Sequence, residues 1–145
     1  MYTVKEAAKL LNLTEHTIRY YTDRKLVPHL KRDKNNNRLF DDEALNWLLC
    51  AKFFRHCGMS IEDIKRYIDL CLEGESTIKE RYNIMVKQRD IAQAQLEEAK
   101  KRAKYIEEKT NDYYNFINGK ISDDVNLIKW KVLKNEKPLP GKDKS

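Results

Sequence analysis

"LTEHTIRYYTDRKLVP", residues 13–28, decides how this chain is read. Thr14 stands where a helix N-cap belongs, and Glu15 falls in the first turn, where the helix dipole favours an acid. Pro28 biases the residue before it out of the helical region and stops the helix. Inside it Thr17, Tyr20 and Arg24 fall at i, i+3 and i+7, with His16 and Arg19 beside that face, while Ile18 and one tyrosine turn inward. The outward set is an inventory for DNA. Hydroxyls and guanidinium groups suit phosphate oxygens, and His16, Thr17 and Arg19 can reach base edges.

The flanks support that reading. Upstream, Thr3-Val4-Lys5-Glu6 matches the capping box, and Ala7, Ala8, Leu10 and Leu11 give a short helix an apolar stripe ending near Asn12. Two short helices across a tight turn make a helix-turn-helix. Downstream, "KRDKNNN" at 31–37 lies between Leu30 and "RLF" at 38–40, which read as two short strands closing a β-hairpin wing. Asp41 or Asp42 then caps a helix running to Gly58, and Ser60-Ile61-Glu62-Asp63 caps another ending near Gly74.

Beyond Gly74 the period changes. Ile78, Tyr82, Met85, Arg89, Ala92, Leu96, Ala99, Ala103, Ile106, Thr110, Tyr113 and Ile117 follow alternating 4,3 spacing, and ten of these twelve are apolar. Proline and glycine are absent from 75–118. A helix that long cannot bury its stripe alone, which implies a partner helix, most simply its own copy, with Ala92, Ala99 and Ala103 permitting close approach. After Gly119, Ser122-Asp123-Asp124 reads as another N-cap, residues 125–133 as a short amphipathic helix or strand, and "NEKPLPGKDKS" as a disordered tail. The expected organisation is mainly α: a winged helix-turn-helix domain at 1–74, a dimerisation helix at 75–118 and a short C-terminal segment at 119–145.

Charge and composition narrow the function. The chain of 145 residues carries a net charge of +6 and a pI of about 9.1. From Arg19 to Arg38 it holds seven Lys or Arg, Lys34 in the wing among them, against two Asp, so most of the excess sits on the helix and wing just described. That placement suits an anionic polymer. The sequence lacks an apolar run long enough for a membrane span and has no signal peptide, so a cytoplasmic protein is expected. A nucleotide-binding glycine loop and a nucleophile–base pair are also lacking, so no enzyme is expected and no cofactor is implied.

The order "YTVKEAAKLLNLTEHTIRYYTDRKLV", "NRLFDDEAL", "FRHCGMSIEDIKRYI" resembles the DNA-binding half of the MerR family of bacterial transcription regulators over about residues 2–74. The resemblance implies that "TIRYY" lies in the recognition helix, with Arg19 and Tyr20 on the DNA backbone, Thr14 and Thr17 in support, and Arg38 as the wing arginine. The family often has Gly-Tyr before that arginine, where this chain has Asn36-Asn37. The resemblance further implies a homodimer joined by an antiparallel pair of long helices. Such a dimer binds double-stranded DNA at a pseudo-palindromic promoter operator and distorts an overlong spacer so that RNA polymerase engages both promoter elements. Two other classes fit part of the pattern: an architectural or recombination-directing DNA protein, and a coiled-coil adaptor without DNA binding.

The sensing function is the least determined. Metal-sensing members of the family carry cysteines just after the dimer helix, and this chain has none beyond Cys71, so no metal is expected there. The 27 residues after Asn118 cannot supply the large domain of drug-binding members, which favours a small effector or none. A redox- or aldehyde-sensing subgroup of short members, which this chain resembles through Trp47–Tyr67, uses one cysteine on the helix after the wing, at the position of Phe53 here. Cys50 and Cys57, at i and i+7, could substitute for it, with Lys52, Arg55 or His56 lowering a thiol pKa. The alternative is three buried thiols serving as small apolar residues. An effector pocket involving Tyr113 and Trp130 is a further expectation.

Overall fold

Thr3 opens the first helix, α1 (Val4–Leu11), through a complete capping box: its hydroxyl accepts from the Glu6 N–H at 3.2 Å, and Glu6 accepts from the Thr3 N–H at 3.1 Å. Asn12, in the left-handed region at φ 52°, ends it. Thr14 then starts α2 (Glu15–Asp23) by accepting from the Thr17 N–H at 3.0 Å. Ile18, Tyr21 and Thr22 form its buried face, so Tyr21 is the inward tyrosine and Tyr20 the exposed one.

Helix α2 stops earlier than Pro28. Lys25 takes φ 62°, the Leu26 N–H donates to the Tyr21 carbonyl at 3.0 Å, and the Lys25 N–H donates to Thr22 at 3.0 Å. This is a Schellman closure with lysine in the place usually held by glycine. It ends the helix five residues before the proline.

The wing is a two-stranded antiparallel hairpin, β1 (Lys31–Arg32) and β2 (Arg38–Leu39), with Lys31 opposite Leu39 and Arg32 opposite Arg38. Leu30 lies outside it, and Phe40 bridges instead to Tyr2, tying the chain's start to the wing's base. Asp33 organises the turn: one carboxylate oxygen accepts from the Asn35 and Asn37 N–H groups, both at 2.9 Å, and Asn36 turns left-handed at φ 64°. Asp41 caps α3 (Asp42–His56), and Ser60 caps α4 (Ile61–Glu73). Gly58 and Gly74, at φ 90° and 99°, occupy the two turns that follow these helices.

The structure is a computed structural model that describes residues 1–120. The segments expected at 122–133 and the tail lie outside the described residues. The chain divides into two compact units, Met1–Gln88 and Arg89–Ser145. The core of the first comes from all four short helices and the wing's base, with Ile18, Leu26, Phe40, Leu48, Ile64 and Ile68 fully buried. A 3-10 turn at Glu75–Thr77 precedes α5 (Ile78–Ile117), which therefore begins three residues later than the loss of glycine suggested. None of the 40 residues of α5 is buried, and Leu96, Ile106 and Ile117 are 54%, 61% and 79% exposed. Among the described residues, no helix is long and apolar enough to cross a membrane.

Candidate nucleic-acid interface

Helix α2 presents two working edges. On one, Arg19 pairs with Glu15 at 3.3 Å and lines a cleft of about 300 Å³ with Thr3 and Lys5 of α1's start, Asn36 and Asn37 of the wing, and Arg38. On the other, Arg24 lies 5.9 Å from the centre of the Tyr20 ring and donates to Glu62, at the start of α4, at 3.1 Å. His16 is exposed on the same helix, and Lys34 is exposed at the wing tip. A phosphate backbone laid along α2 thus meets cations from the wing side and from the α4 side.

Three expected contacts have a second duty. Thr14 spends its hydroxyl on the cap, accepting from the Thr17 N–H while donating to Thr17 Oγ1 at 2.8 Å. Thr17 is half-buried and faces a cleft with Leu13, Tyr21, Phe53, Arg55 and His56 rather than standing beside Arg24. Arg38 is the most enclosed of the cations, with its side chain 20% exposed and one Nη donating to Asp23 at 2.8 Å. It pins the wing to the end of α2. Its Nε is buried without a protein partner.

Residues that sequence reasoning missed are Lys5, Asp23, Asp33, Arg55 and Glu62. Asp23 and Glu62 acquire their places through contacts between elements, with Arg38 and Arg24, whereas Asp33 is set by Asn35 and Asn37 within its own turn. Hydrogen bonds favour the ionised form of two of these acids, Asp33 and Glu62. The Asn37 N–H, ahead of its side chain and the Asn35 N–H, lowers the Asp33 carboxyl below its ordinary value. Glu62 is lowered first by its own backbone N–H and then by Arg24.

The cysteines separate. Cys57 is the exposed C-cap of α3, beyond the helix proper. For Cys50 the expected lowering does not occur: burial, with Cys71 nearby, pushes its thiol up to about 11, and Lys52 donates instead to the Leu11 carbonyl at 2.8 Å. Cys71 is half-buried, with an Arg81 Nη 4.0 Å from its sulfur. Among the described residues, no three His, Cys, Asp or Glu side chains group so as to hold a metal ion. Tyr113 lines a shallow apolar groove on α5 with Ile106, Tyr114 and Ile117, while Trp130 lies outside the described residues.

A capped helix pair, a basic exposed second helix and a hairpin pinned against it define a winged helix-turn-helix DNA-binding protein. Residues 2–71 match the family profile described as MerR HTH family regulatory protein. An uncharacterized HTH-type transcriptional regulator of Haemophilus influenzae is 33% identical over 112 residues, covering 77% of this chain and 83% of its own length. Among solved structures, HiNmlR, a MerR family regulator lacking the sensor domain and bound to promoter DNA, superposes with a TM-score of 0.70 at 32% identity, over 79% of this chain and 90% of that one. A MerR family transcriptional regulator from Listeria monocytogenes gives a TM-score of 0.75 at 28% identity, over 82% and 90%. The chain belongs to the MerR family of helix-turn-helix transcription regulators.

Proposed function

We propose that this regulator binds a pseudo-palindromic promoter operator as a homodimer in the cytoplasm and activates by deforming the promoter spacer for RNA polymerase. Residues 1–74 serve as the reading domain and 75–118 as the dimerisation helix. Arg19, Tyr20 and Arg24 take the backbone, His16 and Thr17 lie nearest the bases, and Thr14 holds the helix start against the phosphates. Lys34 and Arg38 extend the contact through the wing. The observation that carries the reading is the cleft in which Arg19, Arg38 and Lys5 converge from three elements, three cations beside the carboxylates of Glu15 and Asp33. Supporting it, HiNmlR is bound to promoter DNA. Two recognition helices about one turn of DNA apart engage two half-sites, and bending the spacer costs on the order of several kcal/mol, which contacts along the bent DNA offset.

The test is a mobility-shift salt series on the DNA upstream of the protein's own gene, paired with transcription in vitro from promoters whose spacer is shortened stepwise. The expected result is specific, salt-sensitive binding, with activation only on the long spacer. Specific binding without spacer dependence would favour the architectural reading. Absence of specific binding at any salt would favour the coiled-coil adaptor.

A further inference from the structure

Resting on the homodimer just proposed, we infer one register for the antiparallel helix pair. Ile78 faces the partner's Ile117, Tyr82 the partner's Tyr113, Met85 the partner's Thr110, and Arg89 the partner's Ile106. Ala92 then faces the partner's Ala103, and Leu96 the partner's Ala99.

The inference begins with α5 itself, whose stripe has no buried residue and is exposed at all positions but the half-buried Met85 and Ala99. An antiparallel seam requires each stripe residue to meet another at the same height, so the helices can slide only in steps of seven residues. One setting pairs all twelve stripe positions. Sliding one step one way leaves Ile78 and Tyr82 of both helices without a partner; sliding the other way strands Tyr113 and Ile117. These four are large side chains, 53%, 63%, 44% and 79% exposed in the single chain, so either slip forfeits burial of two large residues per helix.

Charge selects the same setting. Stripe residues at the first heptad position share a side of the seam with the fifth position, so Arg89 lies on the side that carries Lys100, Glu107 and Tyr114. In the full-overlap register Arg89 comes level with the partner's Glu107. One slip brings it level with the partner's Lys100, a like charge. The other brings it level with the partner's Tyr114, but sets Lys100 against the partner's Lys100 and Arg102 against the partner's Arg102 at the dimer axis. In the single chain Arg89 pairs only with its neighbour Asp90 at 3.2 Å, with 59% of its side chain exposed, so it is available to a better partner across the seam. At the waist, Ala92, Ala99 and Ala103 leave room for the two copies of Leu96.

Two experiments on the full chain test this. The first is a charge swap read by sedimentation equilibrium. Arg89→Glu weakens the dimer at least about tenfold, and adding Glu107→Arg restores it to within about threefold. A tighter Arg89→Glu dimer, or a double variant as weak as the single one, would overturn the register. The second uses Ala92→Cys with Ala103→Cys in a background where Cys50, Cys57 and Cys71 are replaced. Oxidation links Ala92→Cys to the partner's Ala103→Cys in more than half of the dimers by peptide mapping. In the same background, a dimer that leaves this pair unlinked but links Ala92→Cys to the partner's Leu96→Cys, or Ala99→Cys to the partner's Ala103→Cys, refutes the register and leaves the homodimer standing. A monomeric wild-type chain at micromolar concentration refutes the homodimer itself.

Discussion

Arg19→Ala is the perturbation whose size follows most directly from the geometry. In the free protein the Arg19 side chain is 49% exposed and its ion pair is with Glu15, one turn earlier at 3.3 Å. Exposed pairs of this kind stabilise by about 0.3–0.5 kcal/mol, so removing one leaves folding nearly untouched. In the proposed complex the same guanidinium exchanges that carboxylate for a phosphate. A dimer loses two such contacts, and at about 1.5 kcal/mol each, the low end for a charged hydrogen bond, the dissociation constant rises roughly 100-fold. Two released counterions fewer lower the slope of log K against log salt by about 1.8. Fluorescence anisotropy on a labelled operator between 50 and 300 mM salt measures both, and urea unfolding supplies the stability control. A slope unchanged while affinity falls would mean that Arg19 does not reach phosphate. A large drop in the urea midpoint would mean that the ion pair holds the fold, and either result would refute the assignment.

Other outcomes follow from particular contacts. Lys25→Gly relieves a left-handed lysine at φ 62° and raises stability by about 0.5–1 kcal/mol, the relieved strain exceeding the added freedom of the unfolded chain, which a shift in urea midpoint at constant m-value would show. At pH 8 iodoacetamide labels the exposed Cys57 first, because a Cys50 thiol near 11 is only about one part in a thousand thiolate; peptide mass spectrometry over time ranks them. Asp33 has its folded pKa depressed, so its contribution to the wing is present above the ordinary carboxylate range and lost as pH falls through the folded value. Protection of the Asn37 amide from exchange disappears over that acid window, and Asp33→Asn lowers it at neutral pH.

What the sequence revealed and what it hid divide by the range of the interactions. Thr3 with Glu6, Thr14, Asp41 and Ser60 act on amides three residues away, so each cap is written in one short stretch and each forms. The stop of α2 was misplaced because Lys25, with no residue signature, supplies a turn that glycine usually announces. Choosing between Tyr20 and Tyr21 required the position of the core, and Tyr21 is 7% exposed where Tyr20 is 41%. Lys52 looked like a neighbour that would activate Cys50, yet its ammonium closes the end of α1, 41 residues away in sequence. Likewise Arg38 reads as a free wing cation until Asp23, 15 residues earlier, is brought against it.

That last contact bears on how the surface discriminates. Each of the three arginines best placed for DNA already holds a carboxylate: Arg19 with Glu15, Arg24 with Glu62, Arg38 with Asp23. A bare basic stripe would bind any duplex through counterion release alone. Here a phosphate must displace an internal acid before it gains a guanidinium, and that exchange is favourable only where the backbone lies at the correct height on both edges of α2 at once. Arg19 and Arg24, with 49% and 43% of their side chains exposed, are free to make the exchange. Arg38, enclosed to 20% and tethered to Asp23, makes the exchange least readily and also holds the wing against the end of α2. The internal acids therefore lower affinity for arbitrary DNA more than for the operator, and neutralising Glu62 as Glu62→Gln should tighten binding to both while narrowing the ratio between them, a change that competition with non-operator DNA measures directly.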